Sequence, residues 1–170
     1  MAEPQQPSGR YRRVLGIVGG LGPHAHVELE RRLLAAVAGA VADQDYPEWL
    51  LSSLPRTPDR TEALLGRGPS PVPLLVESCR RLEGRVDFAV LACITAHAFL
   101  AELRREVSLP ILDVIAATLD QAVKLRGERA RIGLLATTGT LKSGLFAEAA
   151  RRAAPGVTLL TLPDLPDGIR

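Results

Sequence analysis

The feature that most constrains this chain is an alternation: short runs rich in Val, Ile and Leu are each followed by a longer amphipathic segment. A short apolar run bounded by turn residues reads as a strand buried on both faces, and the amphipathic stretch after it as a helix that covers it. Repetition of that pair predicts an α/β protein built on a parallel sheet. The predicted strands are residues 14–18, 49–53, 86–92, 110–114, 131–136 and 157–162. The predicted helices are 25–42, 73–83, 96–107, 116–125 and 141–153. Residues 1–12 mix Pro, Gln, Ser and Gly without apolar periodicity and read as a disordered leader. The stretch 54–72, with Pro55, Pro58, Pro69 and Pro71, reads as a long surface loop over the sheet.

Composition narrows the partners. With 170 residues the chain suffices for one packed domain and part of a second. Its 21 Lys and Arg nearly balance its 19 Asp and Glu, so no strong field favours nucleic acid or an anionic membrane, and neither partner is expected. The longest apolar stretches, 33–42 and 88–96, fall short of the roughly 20 residues that a membrane span requires. Residues 1–13 hold no apolar core of a secretion signal, and the two cysteines allow at most one disulfide. A reducing cytoplasm is the expected compartment.

Ligands of open α/β sheets bind where strands end and helices begin, because loops vary there and helix N-termini offer free N–H groups. Four such places stand out: 19–23, 55–61, 93–97 and 137–140. Cys93 follows the apolar run 86–92 and precedes a predicted helix, a placement that lowers a thiol pKa, although a free cysteine is also a good small core residue. Cys79 falls inside an apolar helical stripe and reads as packing. The turn Gly19-Gly20-Leu21-Gly22-Pro23 fits a loose dinucleotide fingerprint, yet no acid ends the second strand to hold a ribose, so an anion- or carboxylate-binding turn is the stronger reading. His24 and His26 point to different helix faces, and Cys93 with His97 lacks further ligands, so no metal is expected.

Several segments, in order and spacing, carry a family likeness. These are Gly16-Ile17-Val18-Gly19-Gly20-Leu21-Gly22-Pro23, Thr57-Pro58-Asp59-Arg60-Thr61, Cys93-Ile94-Thr95-Ala96-His97 and the run from Gly133 to Thr140 with Ser143-Gly144. Together they resemble the aspartate/glutamate racemase family over nearly the whole chain after the leader. The resemblance implies a flavodoxin- or Rossmann-like three-layer domain over 13–112 and a shortened, similar second domain over 113–170. It implies no cofactor, pyridoxal phosphate included, and a small carboxylate or acidic amino acid as ligand. The thiol base would be Cys93. Substrate contacts would come from Gly20, Arg60, Thr95, Thr138, Gly139 and Thr140, with His97 as a candidate assistant.

Two departures from the family pattern shape the expectation. Ile94 stands where the family has Asn, which removes one polar contact to the substrate. The family's second half also continues to a Cys-Thr-Glu motif, preceded by a substrate-contacting lysine, and neither occurs in these 170 residues. A second catalytic cysteine is thus absent, and a homodimer mate or a separate chain is expected to cover the surface that the missing part leaves. Three readings follow: an amino-acid racemase, a one-cysteine isomerase, epimerase or decarboxylase acting on another carboxylate, or a binding protein that has kept the fold.

Overall fold

The computed structural model describes residues 11–161. Its first sheet has three parallel strands in the order β2-β1-β3, formed by β1 (Leu15–Gly19), β2 (Trp49–Ser53) and β3 (Phe88–Leu91). Every residue of β1 is buried, as expected for a central strand covered on both faces. Period-two alternation divides the side chains. Leu15, Ile17, Phe88 and Val90 face one way, packing with Leu29 and Leu33 of α1 (Pro23–Ala36). Val18, Ala89 and Leu91 face the other way, against α3 (Val72–Arg80) and α4 (Leu100–Glu106). The result is three layers, helix, sheet and helix. In α3 the spacing i, i+3, i+4, i+7 buries Val72, Leu75, Val76 and Cys79 on one stripe. Burying one such leucine contributes about 1.5–3 kcal/mol.

The predicted fourth strand, 110–114, is corrected by the structure. Only one parallel bridge forms there, Ala89 to Ile111. The side chain of Asp113 accepts the N–H groups of Ile115 and Ala116 and so starts helix α5 (Val114–Arg126) before a strand can extend. The bridge nevertheless continues the order to 2-1-3 and then Ile111, so the winding of the strands across the sheet reverses between β1 and β3 while all of them stay parallel. Two other expectations change. Helix α1 stops at Ala36, short of residue 42, and the stretch 54–72 contains a helix, α2 (Arg60–Leu64), capped by Asp59. Residues 1–10 of the expected leader, and residue 162 of the last predicted strand, lie outside the described residues.

A second sheet pairs β4 (Arg131–Leu134) with β5 (Thr158–Thr161) in parallel, joined by α6 (Thr138–Ser143) and α7 (Leu145–Ala153). Ile132, Leu134 and Leu159 pack against Ile115 and Leu119 of α5 and Phe146 of α7. Among the described residues no helix is long and apolar enough to cross a membrane.

The turn after β1 depends on glycine for two separable reasons. Gly20 has φ +78°, and a Cβ there would lie 2.5–2.7 Å from backbone atoms of Leu54 and Pro55. Gly22 has φ +105° with nothing near the same position. Gly22→Ala should therefore cost only the conformational strain, about 1–3 kcal/mol. Gly20→Ala should cost clearly more, because the strand-end backbones must also separate. Denaturant unfolding of the two variants checks this; equal losses would mean that the Gly20 contact has room to give.

Candidate active site

In a doubly wound sheet the ligand crevice lies outside the carboxyl ends of the strands where their order reverses, here β1 and β3. Register aligns those ends: Gly19 pairs with Ser53, Val18 with Leu91. The Leu54 N–H donates to the Gly19 carbonyl and the Ala92 N–H to the Val18 carbonyl, extending both ladders by one bond. The four segments singled out in the sequence are thereby brought together. Gly20 touches Leu54 and Pro55, Arg60 Nη2 donates to the Leu21 carbonyl at 3.0 Å, and a Cβ on Gly139 would meet Thr61 Oγ1 at 2.5 Å and its Cα at 3.0 Å.

Cys93 keeps the parity of Ala89 and Leu91, so it lies on the α3/α4 side, partly buried against that core. Two residues on, the buried Thr95 hydroxyl lies 3.1 Å from Thr137 Oγ1 and 2.9 Å from Thr140 Oγ1. Thr137 Oγ1 also donates to Thr140 Oγ1 at 3.2 Å, and as N-cap of α6 it accepts the Thr140 N–H. Three hydroxyls thus form a closed triangle that ties the end of β3 to the end of β4. Thr138 is exposed at its edge, whereas Gly139 is buried beneath α2. Ile94 packs with the second core, among Ile115, Leu119 and Phe146, so its apolar side chain is used in joining the two sheets.

Arg60 does not pair with Asp59, whose Oδ1 instead accepts the Glu62 N–H at 2.8 Å. Its guanidinium donates to the carbonyls of Thr57, Pro58 and Leu21, and its buried Nε has no partner among the described residues. No carboxylate within the described residues neutralises it. The cation therefore holds the Gly turn against the Pro-rich segment through three backbone carbonyls. The Gly20 N–H is already donated, to His26 Nδ1 at 3.3 Å, so Gly20 shapes the site by its missing Cβ.

His97 is buried, with Nδ1 3.0 Å from the Cys93 carbonyl and Nε2 accepting the Val114 N–H at 3.4 Å. Burial holds its pKa below the ordinary 6.5, against the opposite pull of the Cys93 carbonyl and Asp113. Burial likewise pushes the Cys79 thiol up to about 12, with the charge of Glu83 adding to the effect. No cluster of three His, Cys, Asp or Glu able to hold a metal occurs among the described residues. Sequence reading missed two supports of the site, His26 and Thr137. Thr137 carried a legible signal, a threonine placed three residues before Thr140 at a helix start; the reach of His26 back to Gly20 did not.

Fold and site together define a doubly wound α/β protein whose strand-end segments, carrying Arg60, Cys93, Thr95 and Thr140, meet at its switch point. The chain belongs to the Asp/Glu/Hydantoin racemase family, whose model matches residues 18–166. It is similar to the aspartate racemase of Picrophilus torridus, with TM-score 0.74 and 28% identity, covering 88% of this chain and 62% of that one. It is 24% identical over 136 residues to the broad specificity amino-acid racemase RacX of Bacillus subtilis, 78% of this chain and 58% of the relative. Against glutamate racemase of Aquifex aeolicus it is 41% identical over 73 residues, 42% of this chain and 28% of the relative. The chain thus spans less than two thirds of the length of these relatives.

The two thiols should separate cleanly. At neutral pH iodoacetamide should label Cys93 in the folded protein and Cys79 only after denaturation, read by mass spectrometry of peptides; faster labelling of Cys79 in the native state would reverse the assignment. A pH effect on stability follows from His97. Because its folded pKa is depressed, the unfolded chain takes up the proton first. The stability is fully present above the unfolded value near 6.5 and is lost as pH falls through the lower folded value. Glu28, Glu77 and Glu83, held below 4.5 by their hydrogen-bond partners, lose theirs only at more acid pH. Urea midpoints should therefore drop just below pH 6.5 in the wild type and stay flat over that interval in His97→Asn.

Proposed function

We propose that the protein catalyses cofactor-independent proton transfer at the α-carbon of an acidic amino acid or a related small carboxylate, with the Cys93 thiolate as base. The single observation that carries this reading is the meeting of four strand-end segments at the β1/β3 switch point, one of them bearing the half-buried Cys93. Support comes also from the family and from relatives named as amino-acid racemases.

The chemistry follows from what surrounds the thiol. Removing an α-proton leaves an electron pair that moves into the neighbouring carboxylate, and the proton goes to sulfur. The developing enolate-like charge calls for fixed donors: the Thr138 hydroxyl and the backbone N–H at Gly139, on a loop that the Thr95–Thr137–Thr140 triangle holds in place, with the Thr95 or Thr140 hydroxyl turning to the substrate only by giving up a bond of that triangle. The uncompensated guanidinium of Arg60 supplies the charge that an acidic substrate answers. Inversion further needs a proton delivered to the opposite face. Cys79 cannot deliver it, since it is fully buried in the α3 stripe and burial, which raises its pKa to about 12, leaves its thiol a weak acid. One face is served by this chain, and a partner copy is our candidate for the other. Cytoplasmic location, where both thiols stay free, belongs to the same reading. The single thiol and the apolar Ile94 favour a second reading, a one-cysteine isomerase, epimerase or decarboxylase on a different carboxylate.

Incubating each enantiomer of aspartate and glutamate in D₂O, with mass spectrometry and chiral chromatography, tests the proposal. We expect deuterium to enter the α-position of one enantiomer, with racemisation slower by the 10²–10⁴-fold that a missing general acid typically costs. Cys93→Ala should abolish exchange. Ligand binding without any exchange would leave a carboxylate-binding protein, and exchange that survives in Cys93→Ala would remove the thiol from the mechanism.

A further inference from the structure

His97 is only 4% exposed, and both its ring nitrogens are engaged. The partners fix the tautomer, because a carbonyl can only accept and a backbone N–H can only donate. Nδ1, 3.0 Å from the Cys93 carbonyl oxygen, must carry the proton, and Nε2, facing the Val114 N–H at 3.4 Å, must be bare. The His97 backbone N–H donates to the Ile94 carbonyl at 3.0 Å, which pins the same turn a second time. A second ring proton would break the Val114 contact and place a charge in a site that burial disfavours.

The Val114 bond gives the ring reach. Asp113 takes the N–H groups of Ile115 and Ala116, and the imidazole takes that of Val114, so the first turn of α5 is capped partly by a residue from the other sheet's helix layer. From α5 the connection runs through Ile115 and Leu119 to β4, whose far end presents Thr137 and Thr140 to Thr95. A closed circuit results: Cys93 carbonyl, His97, α5, β4, threonine hydroxyls, and back to the residue two beyond Cys93. The charged groups that face the ring are Asp113 at the start of α5 and Arg104 on α4. Across a cleft of about 320 Å³ stand Glu148 and Arg152 of α7.

We infer that His97 is the positioning residue for the reacting thiol: a neutral, Nδ1-protonated imidazole that fixes the Cys93 backbone against α5, and through α5 sets the distance from the sulfur to the threonine hydroxyls, without itself transferring a proton. This rests on Cys93 being the thiol base, and it excludes His97 as the missing second acid.

The amides of Asn and Gln separate the two bonds, since the Asn side-chain nitrogen can occupy the place of Nδ1 and the Gln side chain reaches toward Nε2. Alkylation rate of Cys93 against pH is the readout, corrected for folded fraction by circular dichroism. His97→Asn, which keeps only the Cys93 bond, and His97→Gln, which keeps only the Val114 bond, should each change the rate by about threefold to tenfold, the worth of one hydrogen bond, and His97→Ala, which loses both, by more. Wild-type alkylation profiles in folded Gln and Ala variants would show that the ring is merely structural. Loss of α-proton exchange in His97→Asn with alkylation unchanged would make it a proton donor, and overturn the proposal. Nitrogen-15 NMR of the wild-type imidazole tests the tautomer without any variant: an Nε2-protonated ring refutes it. Exchange persisting in Cys93→Ala would sink the thiol-base reading alone, leaving the alkylation comparison to decide the link between His97 and the Cys93 backbone.

Discussion

Everything at the site depends on the parallel pairing of β1 with strands on both its sides. A parallel ladder aligns carboxyl ends, and here the registers Gly19 to Ser53 and Val18 to Leu91 bring three chain segments out of the sheet at one level. Because β1 connects to β2 on one flank while β3 leads on to Ile111 on the other, the covering helices diverge and leave the crevice open between them. Glycine at position 20 lets the second segment close over the first, which no residue with a Cβ permits at that approach. The position of Cys93 is then a matter of parity: two residues past Leu91 on the same face, beyond the last ladder bond, with its carbonyl free to be held by a side chain.

The connection between the two sheets is made from small polar and apolar pieces rather than from one large interface. Three threonine hydroxyls bond to one another across the gap, and each additional bond limits the rotamers of the other two. Beside them the half-buried Ile94 packs with Phe146 and Leu119. The isoleucine at this position supplies apolar contact between the two sheets, and a β4–β5 sheet of only two strands holds its place because its apolar face rests on α5, α7 and Ile94.

What the sequence disclosed follows from how local each signal is. Strand β2 was legible to the residue, since an apolar run bounded by Pro47 and Pro55 has little freedom to shift. The run 110–114 misled because its apolar character suits a strand, while one side chain, Asp113, captured the N–H groups that begin a helix. Helix α2 was hidden by its length: five residues between prolines carry no periodicity, and only the Asp59 cap marks them. Helix α1 ran past its true end on paper because Ala-rich sequence has high helix propensity, which Gly39 at φ +74° overrides. Of the site, the strand-end residues were legible, and their partners were not. Nothing local announces that Thr95 will meet Thr140, 45 residues away, or that the His97 ring will cap α5.

The arrangement has an asymmetry that bears on what kind of catalyst it makes. A racemase must treat two mirror-related substrates almost alike, which requires an acid and a base of matched strength on opposite faces of one carbon. Here the Cys93 segment and the threonine hydroxyls are joined by a hydrogen-bonded circuit, and in the proposed reading that circuit would fix the groups on one face. In the proposed reading, donors that meet a carboxylate group do not by themselves distinguish the hand of the α-carbon, since they address the group and not the stereocentre. In the proposed reading, binding and handedness are therefore separable: the donors would select an acidic ligand, while the identity of the group opposite Cys93 would decide whether the proton returns to the face it left or to the other.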